Sequence, residues 1–192
     1  MTAAPHLPPS GGRRELDELS LARARRGDRD GCARFVTFHQ RLVFAAIGRI
    51  VGPGQAQTNV EDLAQETFLK ALRALPRFDP AGPAKVSTWL LTIATRVALS
   101  HLRRRRIETE PLHDLDARAV HPHDALDARQ RILQAAATLT PEQRAVFVLK
   151  DVHGLTETEV AEVLELDLSA AKSRLYRARA RMRRALTEAD HD

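Results

Sequence analysis

Residues 155 to 186, LTETEVAEVLELDLSAAKSRLYRARARMRRAL, constrain the fold more than any other stretch of the chain. Thr156 is followed three positions later by Glu159, a capping box that opens a short helix ending near Leu164. After a turn over Glu165 to Leu168, a longer basic helix runs to about Leu186. Leu155, Val160, Ala161, Val163 and Leu164 give the first helix its apolar side, and Leu168, Ala171, Leu175 and Ala178 give the second one its own. Short helix, turn and long helix in that order predict a helix-turn-helix. Lys172, Ser173, Arg174, Arg177 and Arg181 stay off the apolar stripe, in a stretch from 169 to 187 that holds seven cations and not one acid. Such a helix can enter a major groove and read base edges near its N-terminus and phosphates along its flanks. The alternative is a solvated basic helix.

Helical periodicity continues through the remainder, without a convincing alternating strand, so the fold class is all-α. Thr140 to Gln143 (TPEQ) forms a second capping box with proline at the first helical position, after a helix from Arg129 to Ala137. Upstream, two helical stretches span about Leu16 to Ile50, the second directing Phe35, Phe38, Leu42, Ile47 and Ile50 toward a core. GPGQAQTN, residues 52 to 59, interrupts them, and Asn59 is expected to cap a helix from Val60 to Leu75 that Pro76 stops. PRFDPAGPAK is a loop, after which Ser87 is expected to cap a helix running to Arg106. Residues 107 to 128 are acidic and carry two prolines, which reads as a flexible linker between two small helical domains.

The formal net charge is +5, and the basic excess is local: one block lies in the last helix and the other is Arg103 to Arg106. Two separate cationic stretches favour a long polyanion over a small acidic substrate. Arginine outnumbers lysine 26 to 4, which carries little weight alone because base composition of the genome can produce it. Cys32 is the single cysteine, so neither an internal disulfide nor a cysteine-rich zinc cluster is available. The first 15 residues read as a disordered tail without the apolar core of a signal peptide, and a cytoplasmic location is expected. The run STWLLTIATRVALSHL is broken by Thr92, Thr95, Arg96, Ser100 and His101, too polar for the roughly 20 apolar residues that a membrane span needs. No membrane insertion is expected.

Two further surfaces each admit two readings. Along Val60 to Leu75, the residues Val60, Leu63, Ala64, Phe68, Ala71, Leu72 and Leu75 form the core stripe, whereas Asp62, Gln65, Glu66 and Leu69 share the other side. An acidic patch around a leucine that the core does not claim is either a solvated face with a stray apolar residue or a docking surface for a basic partner helix. In the following helix Leu90, Ile93, Ala94, Val97 and His101 suit a core, while Trp89 and Arg96 point elsewhere. Arg77, Phe78 and Lys85 in the loop before it join cations to an aromatic, a mix that grips unstacked bases. The competing reading places Trp89 and Phe78 in the core.

Catalysis finds little support. His113, His121 and His123 with Asp114, Asp116 and Asp124 could bind a metal in principle, but they lie in an irregular stretch without a rigid helix to fix geometry. No glycine-rich phosphate loop or Ser-His-Asp arrangement appears, so neither an enzyme nor a cofactor nor a metal site is expected. An ordinary helix-turn-helix repressor would explain the C-terminal half, though not the face from Asp62 to Leu69 or the aromatic loop.

DLAQETFLKALRAL at 62 to 75, then Ser87 to Arg106, then Leu155 to Arg184, resemble regions two and four of bacterial sigma factors of the extracytoplasmic-function group. The resemblance spans about Asp28 to Leu186. It implies a region-two domain over 16–106, a linker over 107–126 and a region-four domain over 127–187. It also implies a transcription initiation factor that binds core RNA polymerase, directs it to specific promoters and helps melt the minus-ten element. The partners implied are promoter DNA, the clamp helices of the largest polymerase subunit and the flap of the second-largest, with an anti-sigma factor as a further candidate. Position by position, Asp62, Gln65, Glu66 and Leu69 match the clamp-docking surface. Arg77, Phe78, Lys85, Ser87, Trp89, Arg96, Arg103 and Arg104 match the minus-ten segment, and Lys172, Ser173, Arg174, Arg177 and Arg181 match the minus-thirty-five helix. The chain departs from the family pattern at Arg96, where Asn is frequent, at Ser100, where Asp is, at Glu165, where the turn usually has Gly, and at Ser169 and Ala170, where Gly and Thr are frequent. Glu165 at a turn that suits positive φ implies a different turn or modest strain.

Overall fold

A computed structural model describes residues 15–52, 57–109 and 128–188. The described residues form eight α-helices, with no strand among them. Helix α1 (Glu18–Arg25) starts at Asp17, whose carboxylate accepts from the Ser20 N–H at 2.8 Å, and α2 (Arg29–Val51) starts at Asp28, which accepts from Gly31 N–H at 2.8 Å. Both acids sit at the positive end of a helix dipole, and these backbone bonds hold both carboxyls below their usual range. Gly31 lets the two helices touch: a Cβ there would lie 2.6 Å from the Ala24 backbone nitrogen.

Helix α3 (Gln57–Ala74) begins earlier than the sequence suggests, so Asn59 lies within it and is not its N-cap. The α-helix ends at Ala74, and Pro76 fits the 3-10 turn Leu75–Arg77 that follows, where its missing N–H costs nothing. Helix α4 (Val86–Thr109) also begins one residue early. Ser87 is therefore not the cap; its hydroxyl donates to Glu15 Oε1 at 2.5 Å and its N–H donates to Oε2 at 3.3 Å. A carboxylate 72 residues away in sequence thus closes the N-terminus of α4. Phe35, Ile47, Ile50, Leu75 and Leu90 are fully buried in the core that these four helices share. His39 is buried beside Phe35, donates from Nδ1 to the Phe35 carbonyl at 2.9 Å, and is pushed below the ordinary imidazole pKa by its burial.

The second unit contains α5 (Ala128–Ala137), α6 (Pro141–Phe147), α7 (Glu157–Leu164) and α8 (Leu168–Glu188), with a π-helical stretch Val148–Val152 between α6 and α7. Both capping boxes form. Thr140 accepts from the Gln143 N–H at 3.3 Å while Gln143 accepts from the Thr140 N–H at 3.1 Å, and Thr156 and Glu159 exchange the equivalent bonds at 3.1 and 2.7 Å. Ala135 and Leu139 pack with Ala178 and Met182 of α8 in a small core of their own.

A further cluster joins the units. Ala46 of α2 and Leu91 of α4, both fully buried, pack with Val146, Leu149, Leu155, Val160, Val163 and Leu175. Beside it, Arg144 of α6 donates through Nη1 to the carbonyls of Ile50 and Val51 at 3.1 and 3.0 Å, through Nε to Ala136 at 3.1 Å and through Nη2 to Leu139 at 3.0 Å. The first two acceptors are among the orphan carbonyls at the C-terminal end of α2, the negative end of its dipole.

Candidate nucleic-acid and docking interfaces

Helix α7 leads into α8 through a tight turn. Glu165 adopts the left-handed conformation (φ 55°, ψ 44°), and the Leu166 N–H donates to the Ala161 carbonyl at 2.9 Å, the long bond of a Schellman stop. The strained alternative at this turn is therefore the one realised, at a cost of about 1 to 2 kcal/mol for a side chain in that region. Asp167 then accepts from the Ala170 N–H at 2.8 Å and starts α8. Ala171, Leu175, Ala178 and Met182 are buried, which turns Lys172, Ser173, Arg177 and Arg181 outward, with Arg174 half-buried.

On this outward face Lys172 lies 3.6 Å from Glu157, and Arg177 Nε donates to the Ser173 carbonyl at 3.3 Å. Tyr176 stands between them, 70% exposed, at a position whose sequence pattern marks it as neither basic nor core. Arg179 is tied by Nε to Asp151 at 3.0 Å, and that carboxylate raises its pKa.

On α3, Asp62, Gln65 and Leu69 are exposed, Leu69 by 56%. Glu66 is half-buried and bound to Lys70 at 2.6 Å one turn on, so the acidic patch is partly neutralised from within the helix. Leu63, Ala64, Phe68 and Ala71 on the opposite side are buried.

The segment from Arg77 to Arg104 divides into two groups. Arg77, Lys85, Arg96, Arg103 and Arg104 are exposed. Phe78 and Ser87 are not: Phe78 is 8% exposed in the first core and Ser87 1%, its hydroxyl committed to Glu15. The core reading of Phe78 is the correct one, because the chain leaves the 3-10 turn in an extended conformation and folds the ring inward beneath the loop. Trp89 is half-buried against it, ring centroids 5.1 Å apart and tilted by 41°. Arg96 Nη2 lies 2.8 Å from Glu165 Oε1, so two of the departures from the family pattern are paired with each other.

His113, His121 and His123, with their neighbouring acids, lie outside the described residues, and among the described residues no group of three or more His, Cys, Asp or Glu could hold a metal ion. No described helix is long and apolar enough to cross a membrane.

A cationic helix-turn-helix and a second helical unit with a cationic helix end carry the electrostatic footprint of the nucleic-acid-binding class. The description "Sigma-70 region 2" matches residues 35–107, and "Sigma-70, region 4" matches residues 129–182. Among characterised proteins, the chain is 28% identical over 183 residues to the ECF RNA polymerase sigma factor SigW of Bacillus subtilis, covering 88% of this chain and 95% of that one. It is 27% identical to the ECF RNA polymerase sigma-E factor of Escherichia coli K12, over 85% and 90%. Among solved structures, CnrH in complex with the cytosolic domain of CnrY superposes with a TM-score of 0.63 at 28% identity, covering 91% of this chain and 98% of that one. The chain belongs to the sigma-70 family, in its extracytoplasmic-function group, and is a promoter-directing initiation factor of RNA polymerase.

Proposed function

We propose that the chain docks on core RNA polymerase through the α3 face and delivers it to a bipartite promoter, with α4 and its preceding loop at the minus-ten element and α8 at the minus-thirty-five element. The observation that carries the docking assignment is Leu69, 56% exposed among Asp62, Gln65 and Glu66 on a helix whose own core is satisfied from the other side. The clamp helices of the largest subunit are the partner assigned to it, and the flap of the second-largest is assigned to the second unit. On α8, Lys172 and Ser173 in the second turn and Arg177 midway along the helix meet base edges, with Arg174 and Arg181 toward phosphates.

At the minus-ten element the chain's contribution to melting comes from Trp89, Arg77, Lys85 and Arg96, with Phe78 as the buried platform beneath Trp89. Flipping a base costs a few kcal/mol, and an aromatic contact to an unstacked base returns about 1 to 3. Arg103 and Arg104 follow the phosphate backbone. No catalytic step and no cofactor enter this function, and the setting is the cytoplasm. An anti-sigma factor is a second partner in this reading, supported by the similarity to CnrH, which was solved in complex with the cytosolic domain of CnrY.

The test is reconstitution. Purified chain added to core polymerase should yield transcripts from a restricted set of start sites in a library of genomic fragments, each preceded by a shared pair of elements. Start sites that do not change when the chain is added would overturn the assignment.

A further inference from the structure

Helix α4 begins at Val86 without a cap of its own. The residue before it is Lys85, whose carbonyl accepts the first helical bond, from the Trp89 N–H at 3.0 Å. That position usually belongs to serine, threonine, aspartate or asparagine, because their side chains accept from the first free N–H groups. Lysine carries donors and no acceptor, and its charge stands at the positive end of the helix dipole, where a cation is disfavoured. Glu15 supplies both the acceptor and the negative charge. Its two oxygens take the Ser87 hydroxyl and the Ser87 N–H at 2.5 and 3.3 Å, and Ser87 is buried.

The carboxylate is held in place from its own side of the contact. Leu16, the next residue, belongs to the first core, and Asp17 starts α1 by accepting from the Ser20 N–H at 2.8 Å. Little ordering is therefore left to offset when Glu15 meets Ser87. Across from α1 runs the loop from Asp79 to Lys85, which Asp79 folds into a turn: its Oδ1 accepts from the Ala81 N–H at 3.0 Å and its carbonyl from the Gly82 N–H at 3.2 Å. A groove of about 560 Å³ separates the two, bordered by Leu21 and Arg25 on α1 and by Pro80 and Ala84 on the loop. Phe78 fastens one end of this loop in the core, and the contact between Glu15 and Ser87 fastens the other. Lys85 and Trp89, both assigned above to the minus-ten strand, lie two residues before and two residues after Ser87.

We propose that Glu15 is a positioning residue for the minus-ten element. By fixing the first turn of α4 through Ser87, it sets the direction of Lys85 and the seat of Trp89 on Phe78, without touching DNA itself. This deepens the minus-ten reading above and rests on it.

The test uses the chain assembled with core polymerase and two probes: a single-stranded oligonucleotide carrying the minus-ten sequence recovered by reconstitution, and a duplex carrying only the minus-thirty-five element. Glu15→Ala should weaken single-strand binding by about five-fold, the ordinary weight of one helix cap, and leave affinity for core polymerase and for the duplex unchanged. In the free variant the emission of Trp89, the single tryptophan, should shift to the red. Glu15→Gln keeps an acceptor oxygen and should recover part of the lost affinity. Adding Ser87→Ala to Glu15→Ala should change little further, because the two side chains act through one contact. Single-strand binding equal to wild type overturns the proposal, and so does a parallel loss of single-strand, duplex and core binding, which is what a merely loosened unit gives. Full additivity in the double variant overturns the route through Ser87. Lys85→Ala and Trp89→Ala are the controls: if neither weakens single-strand binding, the minus-ten reading itself fails, and if they do while Glu15→Ala does not, only the positioning role fails.

Discussion

Replacing Phe78 with alanine separates a platform from a strand contact. The ring is 8% exposed in the first core and packs against Trp89 at 5.1 Å. Burial that complete puts Phe→Ala in the range of about 3 to 5 kcal/mol. The ring lies at the edge of the core, where Asp79, Pro80 and Ala81 are exposed and can settle inward, which favours the lower end, about 3 kcal/mol. For cooperative unfolding of a chain this size, that corresponds to a fall in Tm of about 6 to 12 °C, and to roughly twice that if the first unit melts alone. Circular dichroism gives the Tm, and the emission of Trp89, the single tryptophan, reports the site directly and should shift to the red. Transcription should fall on duplex and pre-melted promoters alike once the unit is loosened. A Tm within about 2 °C of wild type, with unchanged emission and a defect confined to the duplex template, would refute the platform and make Phe78 a strand contact.

Glu165→Gly should raise the stability of the second unit by about 0.5 to 1 kcal/mol, since relief of left-handed strain exceeds the loss of an exposed ion pair; urea unfolding checks it, and a net loss would show that the pair with Arg96 outweighs the backbone. His39 should make the chain acid-sensitive. Burial holds its folded pKa below the ordinary value of about 6.5, so the unfolded chain binds the extra proton; this stability is complete above about 6.5 and lost as pH falls below it. The unfolding midpoint should therefore drop between about pH 7 and 5 more steeply in wild type than in His39→Leu, and parallel profiles would exclude the histidine. Arg177→Ala should cost about 1 to 3 kcal/mol on the matching minus-thirty-five element and relax preference at one position; equal loss on all sequences would reduce Arg177 to a phosphate contact.

Features written in short-range chemistry were legible from the sequence. Both capping boxes, Pro141 at the head of α6 and the turn between α7 and α8 depend on residues three or four apart, and each forms as expected. The left-handed Glu165 was half legible: the turn was expected, and which of two conformations it took was not. What was not legible depends on partners far along the chain. Leu91 reads as one more apolar residue on a broad stripe, and Arg144 reads as one more solvated arginine, until the second unit closes on the first. Ser87 looked like a cap because the true cap, Glu15, lies 72 residues away. Phe78 beside Arg77 fits base capture as well as it fits a core, and only the path of the chain after the 3-10 turn decides between them.

The α3 face is proposed to join the chain to polymerase. The most direct measurement is the affinity of the Glu66→Lys/Leu69→Ala variant for core RNA polymerase, beside wild type, with circular dichroism as the control for folding. Leu69 is exposed and Glu66 has only the surface pair with Lys70 to lose, so helicity should be unchanged. Core binding should be lost while DNA binding by the isolated chain is retained. Core binding equal to that of wild type, with the helix intact, would contradict it.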